Sequence, residues 1–136
     1  MNRVYSGVVQ QGMRRGRKLG FPTANIAISQ GVEDGLYVGY SLVDGKSLPS
    51  LIFVGANITF NEREKKAEVH ILEFRGDLYG QKLCFALVER LRENVKFDSV
   101  QALVEQMNTD LIAAKTYFTN NPDMQLAVEQ SFSCCI

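Results

Sequence analysis

Two small polar residues, Thr23 and Asn25, lie two positions apart in the stretch GRKLGFPTANI (residues 16–26). Pro22 restricts the preceding residue to an extended backbone, which predicts a strand over residues 23–28. Residues two apart on a strand share a face, so a hydroxyl and an amide oxygen would lie side by side. These hard, neutral oxygens suit a Mg²⁺ ion that takes its other ligands from water and phosphate. A hydrogen-bonding couple on the surface is the alternative.

A basic loop with several glycines precedes this stretch. Its cations lie between Gly12 and Gly20 and flank Gly16: Arg14, Arg15, Arg17 and Lys18. Exposed backbone N–H groups and cations of this kind can converge on a phosphate. The Walker pattern G-x-x-x-x-G-K-[ST] is missing, so a nucleotide would have to be held by another type of loop. An ordinary solvated turn is the alternative.

A carboxylate stands within an apolar run in AEVHILEF, residues 67–74. Strand alternation places Glu68 and His70 on one face and their neighbours on the other. A carboxylate held in a strand can accept the proton of a substrate hydroxyl, which makes Glu68 a candidate general base. Pairing with a lysine at a barrel rim is the structural alternative. His70 is the single histidine, and a packed, hydrogen-bonded ring is the simpler interpretation of it.

Two later stretches could border a pocket. The turn DLYG, residues 77–80, offers Tyr79 for stacking on a ring, and LRENVKFDS, residues 91–99, offers Arg92 and Phe97. A hairpin turn and a connection from strand to helix are the corresponding structural interpretations.

The 136 residues are 46% hydrophobic, which predicts one domain over residues 1–136. The 15 basic residues balance 15 acidic ones, so no overall field favours nucleic acid or an anionic membrane as a partner. The longest apolar runs fall far short of the roughly 20 residues of a membrane helix. Residues 1–7 lack the apolar core of a signal peptide. We expect a cytoplasmic protein that binds neither nucleic acid nor a membrane.

The three cysteines, Cys84, Cys134 and Cys135, are an odd number, and two are adjacent at the end of the sequence. This arrangement favours reduced thiols over a disulfide framework. A metal site at the terminal pair is the less favoured alternative to a frayed tail, because no matching pair of ligands exists elsewhere.

Short β-branched and aromatic runs separated by glycines predict six strands, over residues 4–10, 23–28, 35–43, 48–54, 66–74 and 83–91. Strands without intervening helices favour an antiparallel barrel or sandwich. After Phe97 the apolar residues recur every three or four positions, which predicts a helix packed on the β body. Its stripe consists of Val100, Leu103, Met107, Leu111, Ala114 and Phe118.

The ends of this helix also have sequence signals. Asp98 with Gln101 three residues later predicts the N-cap. The segment TNNPDM, residues 119–124, predicts a break, followed by a short last helix or a frayed end over residues 124–132.

Taken in order, GRKLGFPTANI, VGANITF, AEVHILEF, DLYG and LRENVKFDS resemble the riboflavin kinase family, including the kinase module of bifunctional bacterial FAD synthetases. The similarity covers about residues 3–118, and the P-T-A-N and E-V-H-I elements are specific in combination. Ile58 stands where many members have proline, in V-G-x-N-P-T-F.

The resemblance implies a mainly β fold: a six-stranded antiparallel Greek-key barrel over about residues 3–92, with a C-terminal α-helix in a helical part over about residues 98–132. It implies transfer of the ATP γ-phosphoryl to the ribityl 5′-hydroxyl of riboflavin, giving FMN. The catalytic base of the family falls on Glu68, and its magnesium and phosphate contacts fall on Thr23 and Asn25. Its further contacts fall on loop residues: Gly12, Arg17, Gly20, Pro22 and Tyr79 for ATP, and Arg92 and Phe97 for the flavin.

ATP is the implied co-substrate and Mg²⁺ the implied metal, with Zn²⁺ or Mn²⁺ as alternatives. We expect a monomer whose partners are riboflavin, FMN, ATP and ADP. The chain is either a whole small kinase or a module of a bifunctional FAD synthetase, and its single histidine excludes the H-x-G-H motif of an adenylyltransferase from these residues. A non-catalytic, regulatory flavin- or nucleotide-binding barrel is the alternative function. Thr23, Asn25 and Glu68 argue against it, because a binding module has no use for a base.

Overall fold

The computed structural model describes residues 3–10, 23–28, 31–55, 65–74 and 76–132. In this part of the chain, six strands precede two helices: β1 (Arg3–Val8), β2 (Ala24–Ala27), β3 (Gly35–Val43), β4 (Lys46–Gly55), β5 (Lys66–Ile71), β6 (Lys82–Arg92), α1 (Val100–Asn120) and α2 (Met124–Ser131). All six predicted strands are confirmed, with ends that differ from the prediction by at most three residues.

The strands form one antiparallel sheet in the order β1-β6-β3-β4-β5-β2. Its two edges are brought together by the chain that leaves β1. The Val9 N–H donates to the Gln81 carbonyl (2.9 Å), and the Gln10 N–H donates to the Asn25 carbonyl (2.7 Å). The result is a nearly closed six-stranded barrel with C-terminal helices, which confirms the predicted fold class.

The barrel interior is filled by alternate residues of its strands. They are apolar and almost inaccessible to water: Ile26, Ile52, Val54, Ala67, Val69, Ile71, Leu83, Phe85 and Leu87. Burial of this apolar surface is the main favourable contribution to folding. Because side chains alternate along a strand, the residues between these positions lie on the outer face.

Gly39 allows β3 and β6 to approach closely where their register shifts, between Val38 and Gly39. A Cβ atom at this position would lie 1.9 Å from the Ala86 carbonyl oxygen. Because that neighbour is backbone of the paired strand, glycine is required here for steric reasons.

The two helices cover parts of the outer face. Around α1, the cluster consists of Leu36, Val38, Leu51 and Ala114, with Phe53, Leu91, Tyr117 and Phe118 packed against it. Around α2, it consists of Tyr40, Cys84, Ala86, Val128 and Phe132. Cys84 is a buried free cysteine there, and Cys134 and Cys135 lie outside the described residues. No helix among the described residues is long and apolar enough to cross a membrane.

The predicted helical stripe is confirmed except at its first residue. Ala114 is fully buried, and the other members from Leu103 to Phe118 are half-buried. Val100, the first residue of the helix, is 64% exposed and lies outside the cluster around α1. The break is also confirmed: the Asn121 side chain donates to the Tyr117 carbonyl (2.9 Å), and α2 follows.

The predicted N-cap, Asp98, is wrong by one residue. Ser99 has an extended backbone, and its hydroxyl accepts a hydrogen bond from the Ala102 N–H (3.1 Å). Gln101 donates to Glu105 one turn further along instead of completing a capping box. Both Asp98 and Ser99 are good cap residues by type, and the backbone geometry selects the serine.

Replacing Ser99 with alanine removes the acceptor for the Ala102 N–H at the first turn of α1. We expect Ser99→Ala to lower the free energy of unfolding by about 1 kcal/mol. Asp98→Ala is the matched control, and we expect a change within about 0.5 kcal/mol because Asp98 is exposed and is not the cap. Urea denaturation of both variants measures the two values. A larger loss for Asp98→Ala than for Ser99→Ala would contradict the assignment.

Candidate active site

A row of five directly paired residues crosses the barrel on its outer face. Asn25 on β2 pairs with Glu68 on β5, and Glu68 pairs with Phe53 on β4. The row continues through Leu36 on β3 to Arg92, the last residue of β6. We call Asn25, Glu68, Phe53, Leu36 and Arg92 the outer row. Along each strand, its members alternate with interior residues such as Ile26. Between strands, the antiparallel register places two predicted site residues, Asn25 and Glu68, next to each other.

The polar end of the outer row is formed by Asn25 and Glu68. Directly opposed residues of antiparallel strands have Cβ atoms about 4.5–5.5 Å apart, so the Asn25 amide and the Glu68 carboxylate are immediate neighbours. Asn25 is only 5% exposed, whereas Glu68 is half-buried. The strand of Glu68 is paired on both sides, with β2 and with β4, which fixes the backbone that carries its side chain.

Asn25 is fixed from both sides of its strand. On one side β2 pairs with β5, and on the other its carbonyl accepts the Gln10 N–H. This is the same contact that nearly closes the barrel. Barrel closure and the position of the Asn25 amide therefore depend on one short strand.

Thr23 directly precedes β2 and is half-buried, two residues before Asn25. The observed strand begins at Ala24, one residue later than predicted. Thr23 is therefore close in the chain to the polar end of the outer row, and its sharing of a face with Asn25 stays a prediction. His70, two residues after Glu68 on β5, pairs with Leu51 and is also half-buried.

Arg92, at the other end of the outer row, is held by an acid on α1. Its Nε and Nη2 donate to the two carboxylate oxygens of Asp110, at 2.9 Å and 2.7 Å. Its Nη1 donates to the Glu93 carbonyl (2.9 Å). The structure thus separates Arg92 from Glu68 by the two apolar members of the row, Phe53 and Leu36.

The remaining predicted contacts within the described residues lie in the connections around the strands. Tyr79 is 59% exposed, and its N–H donates to the Asp77 carboxylate (2.9 Å) in the predicted turn. The Gly80 N–H donates to the Val9 carbonyl (3.0 Å), which places this turn at the end of β1. Phe97 is half-buried in the connection from β6 to α1. The assignments of Tyr79 to ATP and of Phe97 to the flavin stay predictions.

The connection after β6 has one further anchor. The Asn94 side chain donates to the Val54 carbonyl (3.2 Å) at the end of β4. A Cβ atom on Gly55 would lie 2.9 Å from the same Asn94 nitrogen and 3.3 Å from the Phe53 ring. The connection therefore begins close to the centre of the outer row.

Several predicted residues lie outside the described part of the chain. These are the ATP-binding candidates Gly12, Arg17, Gly20 and Pro22, together with Ile58 in VGANITF. Their predicted roles stay predictions.

The donor set at the polar end fits a divalent ion that is bound together with phosphate. Among the described residues, no group of three or more His, Cys, Asp or Glu side chains could hold a metal ion. Thr23 and Asn25 supply neutral oxygens, which suit Mg²⁺ when the other ligands are phosphate oxygens and water. The neighbouring Glu68 carboxylate has the chemistry of a general base for a hydroxyl, and this role stays a prediction.

Sequence reasoning missed Asp110, Gln106 and Asn94. Asp110 has a signal that could have revealed it: it lies three residues after Met107 and four before Ala114, on the apolar side of α1. An acid within a buried stripe needs a partner. Asn94 carries no such signal, because its acceptor belongs to a strand that is remote in the chain.

Nearby tyrosines on the barrel and on α1 stay neutral at physiological pH. Burial raises the pKa of Tyr117, and Glu89 raises it further. Burial and then Tyr117 likewise raise the pKa of Tyr40. These rings therefore act as packing groups beside Phe118.

Comparison with known proteins relates this barrel to enzymes of flavin metabolism. A model of the flavokinase family, described as riboflavin kinase, matches residues 2–118. The chain is 36% identical over 128 residues to the trifunctional protein RibF/MnmA of Mycoplasmoides gallisepticum, covering 92% of this chain and 20% of that protein. It is 34% identical over 116 residues to the bifunctional riboflavin kinase/FMN adenylyltransferase of Escherichia coli, covering 83% of this chain and 37% of that protein.

A solved structure supports the fold. The crystal structure of riboflavin kinase from Trypanosoma brucei matches with a TM-score of 0.67 at 23% identity, covering 91% of this chain and 85% of that one. At this identity the match shows the fold alone. The chain spans less than half the length of the two curated relatives above. Because the family model covers most of the chain, and its matched range contains all six strands and most of α1, the chain belongs to the riboflavin kinase family.

Proposed function

We propose that this chain transfers the γ-phosphoryl group of ATP to the ribityl 5′-hydroxyl of riboflavin, giving FMN and ADP. The observation that carries the proposal is the direct pairing of Asn25 with Glu68 on the outer face of a barrel of this family. The proposal treats residues 1–136 as one kinase domain. The adenylyltransferase activity in the name of the Escherichia coli relative is not proposed for these residues, which lack the H-x-G-H motif.

Phosphoryl transfer requires mainly alignment and charge neutralisation from the protein. In the proposed reaction, the ribityl 5′-oxygen forms a bond to the γ-phosphorus while the bond from that phosphorus to the β,γ-bridging oxygen breaks. ADP leaves with the electron pair of the broken bond. The Glu68 carboxylate accepts the proton of the attacking hydroxyl.

Thr23 and Asn25 would hold Mg²⁺, with Zn²⁺ or Mn²⁺ as alternatives, and the ion would neutralise phosphate charge when bound. Asn25 is well suited to orient such a group because its strand is held on both sides. In the same proposal, Gly12, Arg17 and Gly20 contact the phosphates, Pro22 is a further ATP contact, and Tyr79 lies near the adenine. Arg92 and Phe97 lie on the flavin side.

The direct test incubates the purified chain with riboflavin, ATP and Mg²⁺ and separates the flavins by chromatography. We expect FMN to form together with an equal amount of ADP. Flavin binding without FMN, under conditions in which an established riboflavin kinase is active, would instead support the non-catalytic binding barrel.

Removing the proposed base tests its role. We expect Glu68→Gln to lower kcat by about 10²–10⁴-fold, because the neutral amide cannot accept the proton. Riboflavin affinity, followed by flavin fluorescence, should change little. Glu89→Gln is the matched control, an exposed glutamate on β6 that lies outside the outer row, and it should retain normal turnover. Near-normal turnover in Glu68→Gln would refute the role of the base.

Removing the proposed hydroxyl ligand tests the metal site. We expect Thr23→Val to raise the Mg²⁺ concentration for half-maximal FMN formation by about tenfold, equivalent to about 1.4 kcal/mol of lost binding. The measurement titrates Mg²⁺ at fixed ATP, and parallel titrations with Mn²⁺ and Zn²⁺ rank the three ions. Thr116→Val, on the exposed side of α1, should leave the titration unchanged. Equal curves for Thr23→Val and the unmodified protein would exclude Thr23 as a ligand.

A further inference from the structure

Asp110 is a carboxylate in the middle of α1 that is held almost entirely away from water. It is 5% exposed as a residue. Its two oxygens accept Nε and Nη2 of Arg92, and its Oδ1 also accepts the Gln106 side-chain amide (2.9 Å). This is the bidentate geometry in which a guanidinium is held in a single orientation.

Stability alone is a poor explanation for this ion pair. Removing two charges from water costs free energy that their attraction often fails to exceed, and apolar replacements of buried pairs are often neutral or stabilising. What a bidentate pair supplies reliably is geometry, because its two parallel hydrogen bonds fix the plane of the guanidinium. The hydrogen bond from Gln106 adds to this geometric effect, because it restricts the orientation of the Asp110 carboxylate.

The fixed guanidinium belongs to the outer row. Three interstrand steps of about 4.8 Å separate the backbones of Arg92 and Glu68, or about 14 Å in all. The two side chains therefore lie at opposite ends of the row, and the residues between them, Leu36 and Phe53, belong to the cluster around α1. That span suits a substrate with a flat ring at one end and a reacting hydroxyl at the other.

The guanidinium also keeps donors for a ligand. It has five N–H groups, of which two are used by Asp110 and one by the Glu93 carbonyl. Among the described residues no other acceptor contacts it, and its side chain is 23% exposed. Two N–H groups, one on Nη1 and one on Nη2, thus remain at its outer end.

We propose that Asp110, supported by Gln106, is a positioning residue of the kinase site: it orients Arg92 so that these two N–H groups meet an acceptor oxygen of a bound substrate. The inference rests on the proposed function, since it requires a bound kinase substrate within reach of Arg92. The acceptor is either a ring carbonyl of the flavin or a phosphate oxygen, and separate substrate titrations distinguish the two.

The test measures KM for riboflavin and for Mg·ATP in Asp110→Asn. We expect one of the two values to rise about tenfold, the order expected from loss of a charge-assisted hydrogen bond. A rise for riboflavin assigns the acceptor to the flavin, and a rise for ATP assigns it to the phosphates. A purely structural role would lower the amount of folded enzyme and hence the maximal rate, but it would leave KM unchanged.

Further variants keep the test decisive if Asp110→Asn folds poorly. Gln106→Ala leaves the ion pair in place, and we expect it to raise the same KM about two- to threefold. Arg92→Lys keeps the charge but cannot form the bidentate pair, so it should raise that KM as Asp110→Asn does. The double variant, Asp110→Asn with Arg92→Lys, should raise that KM no more than the more severe of the two single variants. Both substitutions act through the same contact, so their effects should not add.

The matched control is Glu105→Gln, the same chemical change on the same helix at an exposed residue that contacts Gln101 instead of Arg92. Its KM values should equal those of the unmodified chain. Unchanged KM values in Asp110→Asn and Gln106→Ala, or an equal rise in Glu105→Gln, would overturn the positioning role alone. Absence of FMN formation by the unmodified chain would overturn the proposed function and this inference together.

Discussion

The proposed active site depends on the antiparallel pairing of β2 with β5. It places Asn25 directly opposite Glu68, so that the proposed metal ligand and the proposed proton acceptor lie within one cross-strand pair. A slip of β2 by one residue in this register would turn Asn25 into the interior and bring Ile26 outward, while Glu68 stays on the outer face because β5 also pairs with β4. The apolar core therefore enforces the register, and the register in turn assembles the site.

The rest of the molecule supports this pair in two ways. On one side, the chain after β1 crosses to Asn25 and nearly closes the barrel, so the short strand β2 has partners along both edges. On the other side, Phe53 on β4 pairs with Glu68 and packs in the cluster on the face that α1 covers. Helix α1 then holds the far end of the outer row through Asp110 and Arg92. Closure of the barrel and docking of α1 therefore act on opposite ends of the same row.

Local features of the chain were enough to predict the strands, the main helix and the individual candidate residues. In the sequence, Pro22 and the recurrent glycines mark where the predicted strands begin and end. The spacing of the apolar residues from Leu103 to Phe118 defines the buried side of α1. The N-cap was missed because Asp98 and Ser99 are both good caps by type, and only the backbone distinguishes them. The pairing of Asn25 with Glu68 could not be predicted by periodicity, since it depends on the register of strands that are distant in the chain. The partner of Asp110 likewise depends on where α1 docks, and the family resemblance gave no indication of it.

The most direct test of the central claim is a crystal structure of the chain with FMN, ADP and Mg²⁺ bound. The claim predicts a Glu68 carboxylate oxygen within about 2.6–3.2 Å of the flavin 5′-oxygen, the distance at which a base acts. It also predicts Mg²⁺ in contact with the side-chain oxygen of Asn25, at about 2.0–2.1 Å. A complex in which the FMN phosphate and the metal lie on another face of the barrel, away from both Asn25 and Glu68, would contradict it.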